Sequence, residues 1–119
     1  MPTTTFKYVS KLIGIGDTMS FVKVANTDDL KPGENKVVDV NGNEVGLFNV
    51  DGEFFAISNT CPHRGGPLGE GTLEGSVVTC PHHGWQFDVK NGQNARMPGP
   101  NVSCFKVKVE GNDVLISLE

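Results

Sequence analysis

Hydrophobic and polar residues alternate along much of the chain, most regularly in the stretch FKVKV at residues 105–109. A period of two is typical of a β-strand with one buried and one solvent-facing side. The pattern, with Val, Ile and Phe at the apolar positions, predicts strands near residues 21–25, 36–40, 44–50, 53–58, 76–79, 85–89, 103–110 and 113–118. Residues 26–34 instead predict a short turn or a single helical turn that ends at Pro32-Gly33.

Short Gly-containing sequences separate the predicted strands. Asn41-Gly42, Asp51-Gly52 and Asn91-Gly92 each lie between apolar stretches, and Gly111-Asn112 does so near the C-terminus. Asn-Gly and Asp-Gly readily adopt the positive φ angles that two-residue hairpin turns require. Consecutive strands are therefore expected to pair as hairpins, which predicts a small all-β domain of antiparallel strands.

Length and composition are consistent with one such domain. The chain has 119 residues, of which 15 are Gly, 7 are Pro and 37% are hydrophobic, and this favours short strands and many turns over helices. The formal net charge of −4 argues against nucleic acid, which needs a basic face. No apolar stretch approaches the ~20 residues of a membrane-spanning helix, and no secretory signal pattern is present. We therefore expect a cytoplasmic protein with no nucleic acid or membrane partner.

Residues 1–18 precede the first predicted strand and are interpreted as an N-terminal extension. Met19 has the character of a natural start for the domain that follows, so residues 19–119 are expected to form that domain. The extension is more apolar than most disordered tails, with Phe6, Tyr8, Val9, Leu12 and Ile13. A disordered tail, an alternative translation start, an added edge strand and an oligomer contact all remain open. Weak self-association through the extension is one expectation.

Cysteine and histidine residues recur in two short segments of similar sequence. The first is Cys61-Pro62-His63 and the second is Cys80-Pro81-His82-His83, both in Gly- and Pro-rich surroundings. Thiolate and imidazole are ligands that suit zinc or iron–sulfur centres. Buried structural cysteines beside surface histidines are the alternative, but two such segments in one short chain favour a metal site. The candidate ligands are Cys61, His63, Cys80 and one of His82 and His83.

Zinc and an iron–sulfur cluster are the two candidate occupants of this site. Structural zinc sites with two cysteines and two histidines usually take both cysteines from one loop and both histidines from the other. Here each loop offers one cysteine and one histidine. That distribution suits a two-iron core, with one iron held by the cysteines and the other by the histidines.

The two segments resemble the ligand pattern of Rieske [2Fe–2S] proteins, in which Cys-x-His is followed after sixteen residues by Cys-x-x-His. The resemblance spans about residues 19–119 and includes FAISNTCPHRGGPLGEG, VVTCPHHGWQFD and MPGP. It is strongest to the ferredoxin components of Rieske-type dioxygenase systems. It implies a Rieske-like antiparallel β sandwich with a small cluster-binding subdomain inserted at about residues 59–100. The implied cofactor-binding and metal ligands of one [2Fe–2S] cluster are Cys61, His63, Cys80 and His83, which leaves His82 at the surface.

The resemblance also implies an electron carrier and not an enzyme. The implied role is one-electron transfer from a flavoprotein reductase to a terminal oxygenase, each bound transiently. Of the 3 histidines in the chain, two are assigned to the cluster, so the two-histidine, one-carboxylate iron site of an oxygenase cannot be assembled. The alternatives are the small subunit of an assimilatory nitrite reductase-like system and a structural zinc-binding β domain.

The resemblance distinguishes this chain from the membrane-bound respiratory and photosynthetic members of the family. Those members carry an extra disulfide between the two loops, and the matching positions here are Gly66 and His82. Their hydroxyl donors fall at Trp85 and Phe87, for which we expect a role in the core. Cys104 lies within a strand pattern and is interpreted as a small strand residue.

Overall fold

The structure, a computed structural model, describes residues 21–62, 65–82 and 84–118. The strands in these residues are β1 (Val22–Asn26), β2 (Asn35–Val40), β3 (Asn43–Val50), β4 (Glu53–Ser58), β5 (Thr72–Glu74), β6 (Val77–Thr79), β7 (Gln86–Asp88), β8 (Cys104–Glu110) and β9 (Asp113–Ser117). Two single-turn 3₁₀ helices span Thr27–Asp29 and Leu68–Glu70. Among the described residues, no helix has the length and apolar character needed to cross a membrane.

The strands expected from the alternation pattern are confirmed to within one or two residues at their ends. The structure adds β5, whose three residues contain one apolar side chain and therefore carry almost no alternation. Its pairing with β6, in which Leu73 lies opposite Val78, defines it as a strand. The helical turn expected within residues 26–34 is the first 3₁₀ helix, where the Asp29 carboxylate accepts a 2.9 Å hydrogen bond from the backbone N–H of Asn26. It ends at Asp29 and not at Pro32-Gly33, which forms a separate turn.

Two hairpin turns have the positive φ angles expected from their Asn-Gly and Asp-Gly sequences. Asn41 and Gly42 have φ angles of 53° and 90°, and Asp51 and Gly52 have 53° and 96°. Two consecutive positive φ values characterise the turn that matches the twist of paired strands. The β2–β3 and β3–β4 hairpins are antiparallel, as expected from these dipeptides. The expectation is wrong at Asn91-Gly92, because β7 and β8, which flank it, lie in different sheets.

Six strands form one antiparallel sheet in the order β1-β9-β8-β4-β3-β2, and β5, β6 and β7 form a second, smaller sheet. The two end strands of the larger sheet, β1 and β2, also contact each other, so the sheet curls into a barrel. We call β1–β4, β8 and β9 the barrel, and residues 59–103, between β4 and β8, the inserted segment. The predicted all-β, antiparallel fold with an inserted smaller unit is confirmed.

Strand β3 is buried on both faces because two hydrophobic cores meet on it. Val45 and Leu47 pack into the core of the barrel. Phe48 and Val50, which point to the opposite side, pack into a second core with the inserted segment. The second core takes from the inserted segment Cys61, Leu68, Val78, Cys80, Phe87 and Val89. The inserted segment is therefore held against the outer face of the barrel through β3.

Candidate metal centre

The two cysteines of the repeated segments lie together in the second core. Cys61 follows β4 and Cys80 follows β6, and their side chains are only 2% and 3% exposed. Both are free thiols, and they are close enough to share a hydrogen bond. The fold thus gathers two sulfur donors from sequence positions almost twenty residues apart.

The loops that follow the two cysteines have the same backbone hydrogen bonds. The N–H of Cys61 donates to the carbonyl oxygen of the fifth residue after it at 2.9 Å, and its own carbonyl accepts from the fourth at 2.7 Å. Cys80 makes the same two bonds, at 2.7 and 3.2 Å. The fourth residues are Gly65 and Gly84, both with φ of 75°, a value that favours glycine. Each loop therefore turns back tightly on its cysteine.

The loop equivalence aligns His82 with His63, since each is the second residue after its cysteine. His82 is exposed, as predicted. His63 and His83, the two predicted histidine ligands, lie outside the described residues, and so does the extension at residues 1–18. Within the described ranges, no three His, Cys, Asp or Glu side chains are grouped as metal ligands. The choice of His83 over His82 stays a prediction.

Gly66 closes the first loop directly against the second. A Cβ atom at this position would lie 2.6 Å from Sγ of Cys80 and 3.1 Å from Cγ of His82. Both distances are shorter than ordinary van der Waals contact, so only glycine fits without a shift of the sulfur or the imidazole. Gly66 and His82 are therefore close neighbours.

The thiol of Cys80 has a perturbed acidity. Burial raises its pKa above the ordinary value of 9.0, and the hydrogen bond and charge of Cys61 raise it further. A hydrogen bond from the backbone of His82 acts in the opposite direction and lowers the pKa. Since thiolates are the metal-binding form, a metal must displace the proton of this buried thiol when it binds.

The aromatic residues after the second loop pack as expected. Phe87 is fully buried, and Trp85 is half-buried against the same core. Their ring centroids are 6.4 Å apart with the planes tilted by 41°. Cys104 begins β8 and is exposed, with its Sγ 3.5 Å from the carbonyl oxygen of Lys90. Its interpretation as a small strand residue is confirmed.

Two asparagines that the sequence reasoning did not single out fasten the inserted segment to the barrel. Asn59 is 3% exposed, and its Oδ1 accepts from the N–H of Gly69 at 2.7 Å, while its Nδ2 donates to Glu44 Oε1 at 3.3 Å. Asn35 Nδ2 donates to the carbonyl oxygens of Gly69 and Gly71 at 2.8 and 3.0 Å. A polar residue at the end of an apolar strand, two positions before Cys61, was the available signal.

A third asparagine holds the loop that contains MPGP. Asn94 Oδ1 accepts from the backbone N–H groups of Arg96 and Met97 at 2.9 and 3.1 Å. Its Nδ2 donates to the carbonyl oxygen of Pro100 at 3.3 Å. The loop is also joined to the start of β7, where the N–H of Ala95 donates to Gln86 at 2.8 Å. Met97, at 43% exposed, is therefore presented on a fixed loop.

Comparison with known proteins places these features in one family. Residues 20–109 match the family described as Rieske [2Fe-2S] domain. The ferredoxin component of the alkene monooxygenase system of Xanthobacter autotrophicus is 41% identical over 104 residues, which cover 87% of this chain and 85% of that protein. The ferredoxin of carbazole 1,9a-dioxygenase from Nocardioides aromaticivorans has a TM-score of 0.78 and 34% identity, over 84% of this chain and 99% of that one. A chain from the complex of reduced oxygenase and oxidized ferredoxin in carbazole 1,9a-dioxygenase has a TM-score of 0.76 and 32% identity, over 82% and 92%.

Proposed function

The chain belongs to the Rieske [2Fe–2S] domain family, and on that premise we propose that it carries single electrons from a flavoprotein reductase to a terminal oxygenase. The observation that carries the proposal is the pair of buried free cysteines on two equivalent loops. Relatives whose length this chain nearly spans include ferredoxin components of oxygenase systems, and one solved structure is instead a putative nitrite reductase small subunit at 25% identity. One solved relative comes from a complex of a ferredoxin with its oxygenase, which supports an oxygenase as the electron acceptor.

The donor set fits the cofactor of this family. The sulfurs of Cys61 and Cys80 are adjacent, buried and free of a disulfide, and the bare backbone of Gly66 lies against one of them. We propose that Cys61, His63, Cys80 and His83 hold one [2Fe–2S] cluster. When bound, the cluster supplies a reversible one-electron couple.

The surroundings of the cysteines suit a carrier. Leu68, Val78 and Phe87 are fully buried beside the sulfurs, so they exclude water and lower the local dielectric constant, on which the potential of such a centre depends. Pro62 and Pro81, in contrast, are exposed next to the cysteines. The loop tips therefore reach the surface, where a partner docks. Such carriers use small interfaces whose affinity falls as salt screens the charges.

Reconstitution and redox titration test the proposed function. The purified chain should be red-brown, with about two iron atoms and two acid-labile sulfides per chain, and should take up about one electron from dithionite. It should then pass electrons from a flavoprotein reductase to the oxygenase of a Rieske dioxygenase system. A colourless protein with one zinc would establish the structural zinc-binding domain instead. A folded protein that binds neither the cluster nor zinc would favour the nitrite reductase-like alternative.

Two further features are proposed with this function. A carrier that receives electrons from a flavoprotein is expected in the cytoplasm, where cell fractionation would detect it in the soluble fraction. Weak self-association through residues 1–18 would be seen by sedimentation velocity as an average mass that rises with protein concentration. The division of the chain into an extension (1–18), a domain (19–119) and a cluster-binding part (about 59–100) also remains a prediction, which limited proteolysis tests.

A further inference from the structure

The loop that contains MPGP carries an exposed methionine. Among the residues that the structure describes, Met97 and Val109 are the two large hydrophobic side chains that are exposed, at 43% and 46%. Methionine is common at binding surfaces because its flexible thioether adapts to the shape of a partner. Val109 lies near the C-terminal end of β8, whereas the loop of Met97 leads to the start of that strand. The two positions therefore allow a comparison between opposite ends of one strand.

The loop of Met97 lies beside the loop that follows the second cysteine. The chain after β7 turns back and runs antiparallel to that strand. The N–H of Ala95 donates to the carbonyl oxygen of Gln86, the first residue of β7, at 2.8 Å. Gln86 directly follows the loop of residues 80–85 that begins at Cys80. Met97 is two residues beyond Ala95, a chain length of about 7 Å, so it lies close to this loop.

Hydrogen bonds close the loop of Met97 on itself. The N–H of Asn94 donates to Oδ1 of Asn101 at 2.9 Å and so joins the two ends of the loop. At its tip, the N–H of Gly99 donates to the carbonyl oxygen of Met97 at 2.9 Å. A side chain on a loop that is already ordered loses less conformational entropy when a partner binds. Met97 is therefore suited to serve as a binding contact.

Other apolar side chains are exposed on the same side of the molecule. Pro62 and Pro81 are exposed on the two cysteine loops, which adjoin each other at Gly66, and Pro98 and Pro100 are exposed beside Met97. Adjoining exposed apolar groups are typical of a protein contact site. We call the described residues of these three loops the three-loop surface, which comprises residues 61–62, 65–67, 80–82, 84–85 and 94–101.

The charge of the three-loop surface differs from that of the chain as a whole. It contains one Lys, Arg, Asp or Glu residue, which is Arg96. Arg96 is exposed, and among the described residues it takes part in no ion pair. The whole chain has a net charge of −4. An acidic partner is therefore repelled by the chain as a whole and attracted at Arg96, which orients it towards the three-loop surface.

We propose that Met97 and Arg96 are docking contacts for the terminal oxygenase, with Met97 in an apolar contact and Arg96 paired with a carboxylate of an acidic oxygenase surface. The inference rests on the proposed electron-carrier function. An oxygenase is the partner to expect, because a solved relative comes from a complex of a ferredoxin with its oxygenase. Met97 contributes to how long the complex lasts, whereas the charge of Arg96 acts at longer range and raises the rate of encounter.

Binding to the Rieske oxygenase that the cluster-loaded parent chain reduces tests the proposal. Met97→Gln should raise the Kd for that oxygenase about tenfold at low and at high salt, with the rate of electron transfer at saturation unchanged. Arg96→Gln should raise the Kd about threefold at low salt and have little effect at high salt, where charges are screened. Arg96→Lys keeps the charge and should restore most of the affinity.

Matched variants separate docking from a general effect of surface changes. Val109→Thr exchanges an equally exposed apolar group for a polar one at the other end of β8, and Lys31→Gln removes an exposed positive charge before β2. Both should leave the Kd unchanged. The visible spectrum and iron content of every variant should equal those of the parent chain, because none of these residues is a proposed ligand.

Two kinds of failure can be distinguished. A parent chain that reduces a Rieske oxygenase, with an unchanged Kd in Met97→Gln or an equal loss of affinity in Val109→Thr, would overturn the docking contacts and leave the electron-carrier function standing. A salt dependence that is the same in Arg96→Gln as in the parent chain would overturn the role of Arg96. A parent chain that reduces no Rieske oxygenase would overturn the proposed function and this inference with it.

Discussion

The barrel and the inserted segment differ in how they are held together. Strands of the barrel contain five to eight residues, and most of their pairings run over five or six residues. The strands of the inserted segment contain three residues each, and the rest of its described residues form turns, loops and one 3₁₀ turn. Short strands bury little surface alone. The barrel is therefore expected to be stabilised by its own apolar core. The inserted segment is expected to depend on its packing against the barrel and on its metal.

The two regions share β3 as a common wall. Leu47 belongs to the barrel core and the neighbouring Phe48 to the second core. The buried Asn59 adds a polar contact across the boundary, because its Nδ2 donates to Glu44 Oε1 on β3 at 3.3 Å. The dependence is therefore expected to be one-sided. Damage to the barrel should release the cluster, while damage to the inserted segment should leave the barrel folded.

The largest contrast is expected between the two adjacent histidines. His83→Ala should abolish the visible absorbance and the EPR signal of the reduced protein, because a proposed ligand is lost. His82→Ala should retain both, because His82 is exposed and is not assigned as a ligand. Far-UV circular dichroism should show a folded barrel in each variant. The reverse pattern would assign the second histidine ligand to His82, as the equivalence of the two loops would suggest.

Two core truncations test the one-sided dependence. Phe87 and Leu47 are both fully buried, and either change to Ala should cost about 2–5 kcal/mol of stability. Phe87→Ala should lower the temperature at which the visible absorbance is lost but have little effect on the far-UV transition. Leu47→Ala should lower both transitions together. Coincident transitions in Phe87→Ala would show that the two regions unfold as one unit.

Substitutions at two neighbouring glycines, Gly65 and Gly66, test how tightly the first loop packs against the second. Gly66→Ala places a Cβ within 2.6 Å of the Cys80 sulfur and should cost about 1–3 kcal/mol, with a marked loss of bound iron. Gly65→Ala meets no atom within 4 Å but must adopt a φ of 75°, which costs about 1 kcal/mol. Its iron content should remain close to that of the parent chain. Iron analysis of matched preparations measures the difference, and equal iron loss in both variants would contradict the steric argument.

The smallest expected effect is a pH dependence confined to the metal-free protein. Burial and Cys61 raise the pKa of Cys80 above 9.0 in the folded state, so the protonated thiol is favoured by folding. Its contribution to stability is complete below the unfolded-state pKa and is lost as the pH rises through the folded-state pKa. Chelator-treated protein should therefore unfold at lower urea concentration at about pH 10 than at neutral pH.

Two backgrounds isolate the contribution of Cys80 to this pH dependence. Burial and Asp88 also raise the pKa of Cys104, so the measurement is made in Cys104→Ser. The decline should be weaker when Cys80→Ser is added. The loaded protein should show the opposite trend, with cluster release in acid, because protons compete with the metal for the ligands. A metal-free protein equally stable at both pH values would contradict the assignment.

The local parts of the fold were predictable because their causes are local. Asn41-Gly42 and Asp51-Gly52 specify hairpins through their own φ angles, and alternation in residues 105–109 specifies a strand through burial of every second side chain. Cys61 and Cys80 were recognisable as candidate ligands because their residue type and repeated context suit metal chemistry. β5 was missed because Leu73 is its single apolar side chain, and the pairing with β6 that defines it is not local.

The sequence by itself determined the strands, the hairpins and the candidate ligand types, since these depend on spacings of a few residues and on side-chain chemistry. Only the tertiary structure decided which residues distant in sequence contact each other. It places Gly66 against the sulfur of Cys80, and it joins the inserted segment to the barrel through hydrogen bonds of Asn35 and Asn59. These contacts join residues that are far apart in sequence, and close packing, unlike alternation, leaves no periodic trace in the order of the residues.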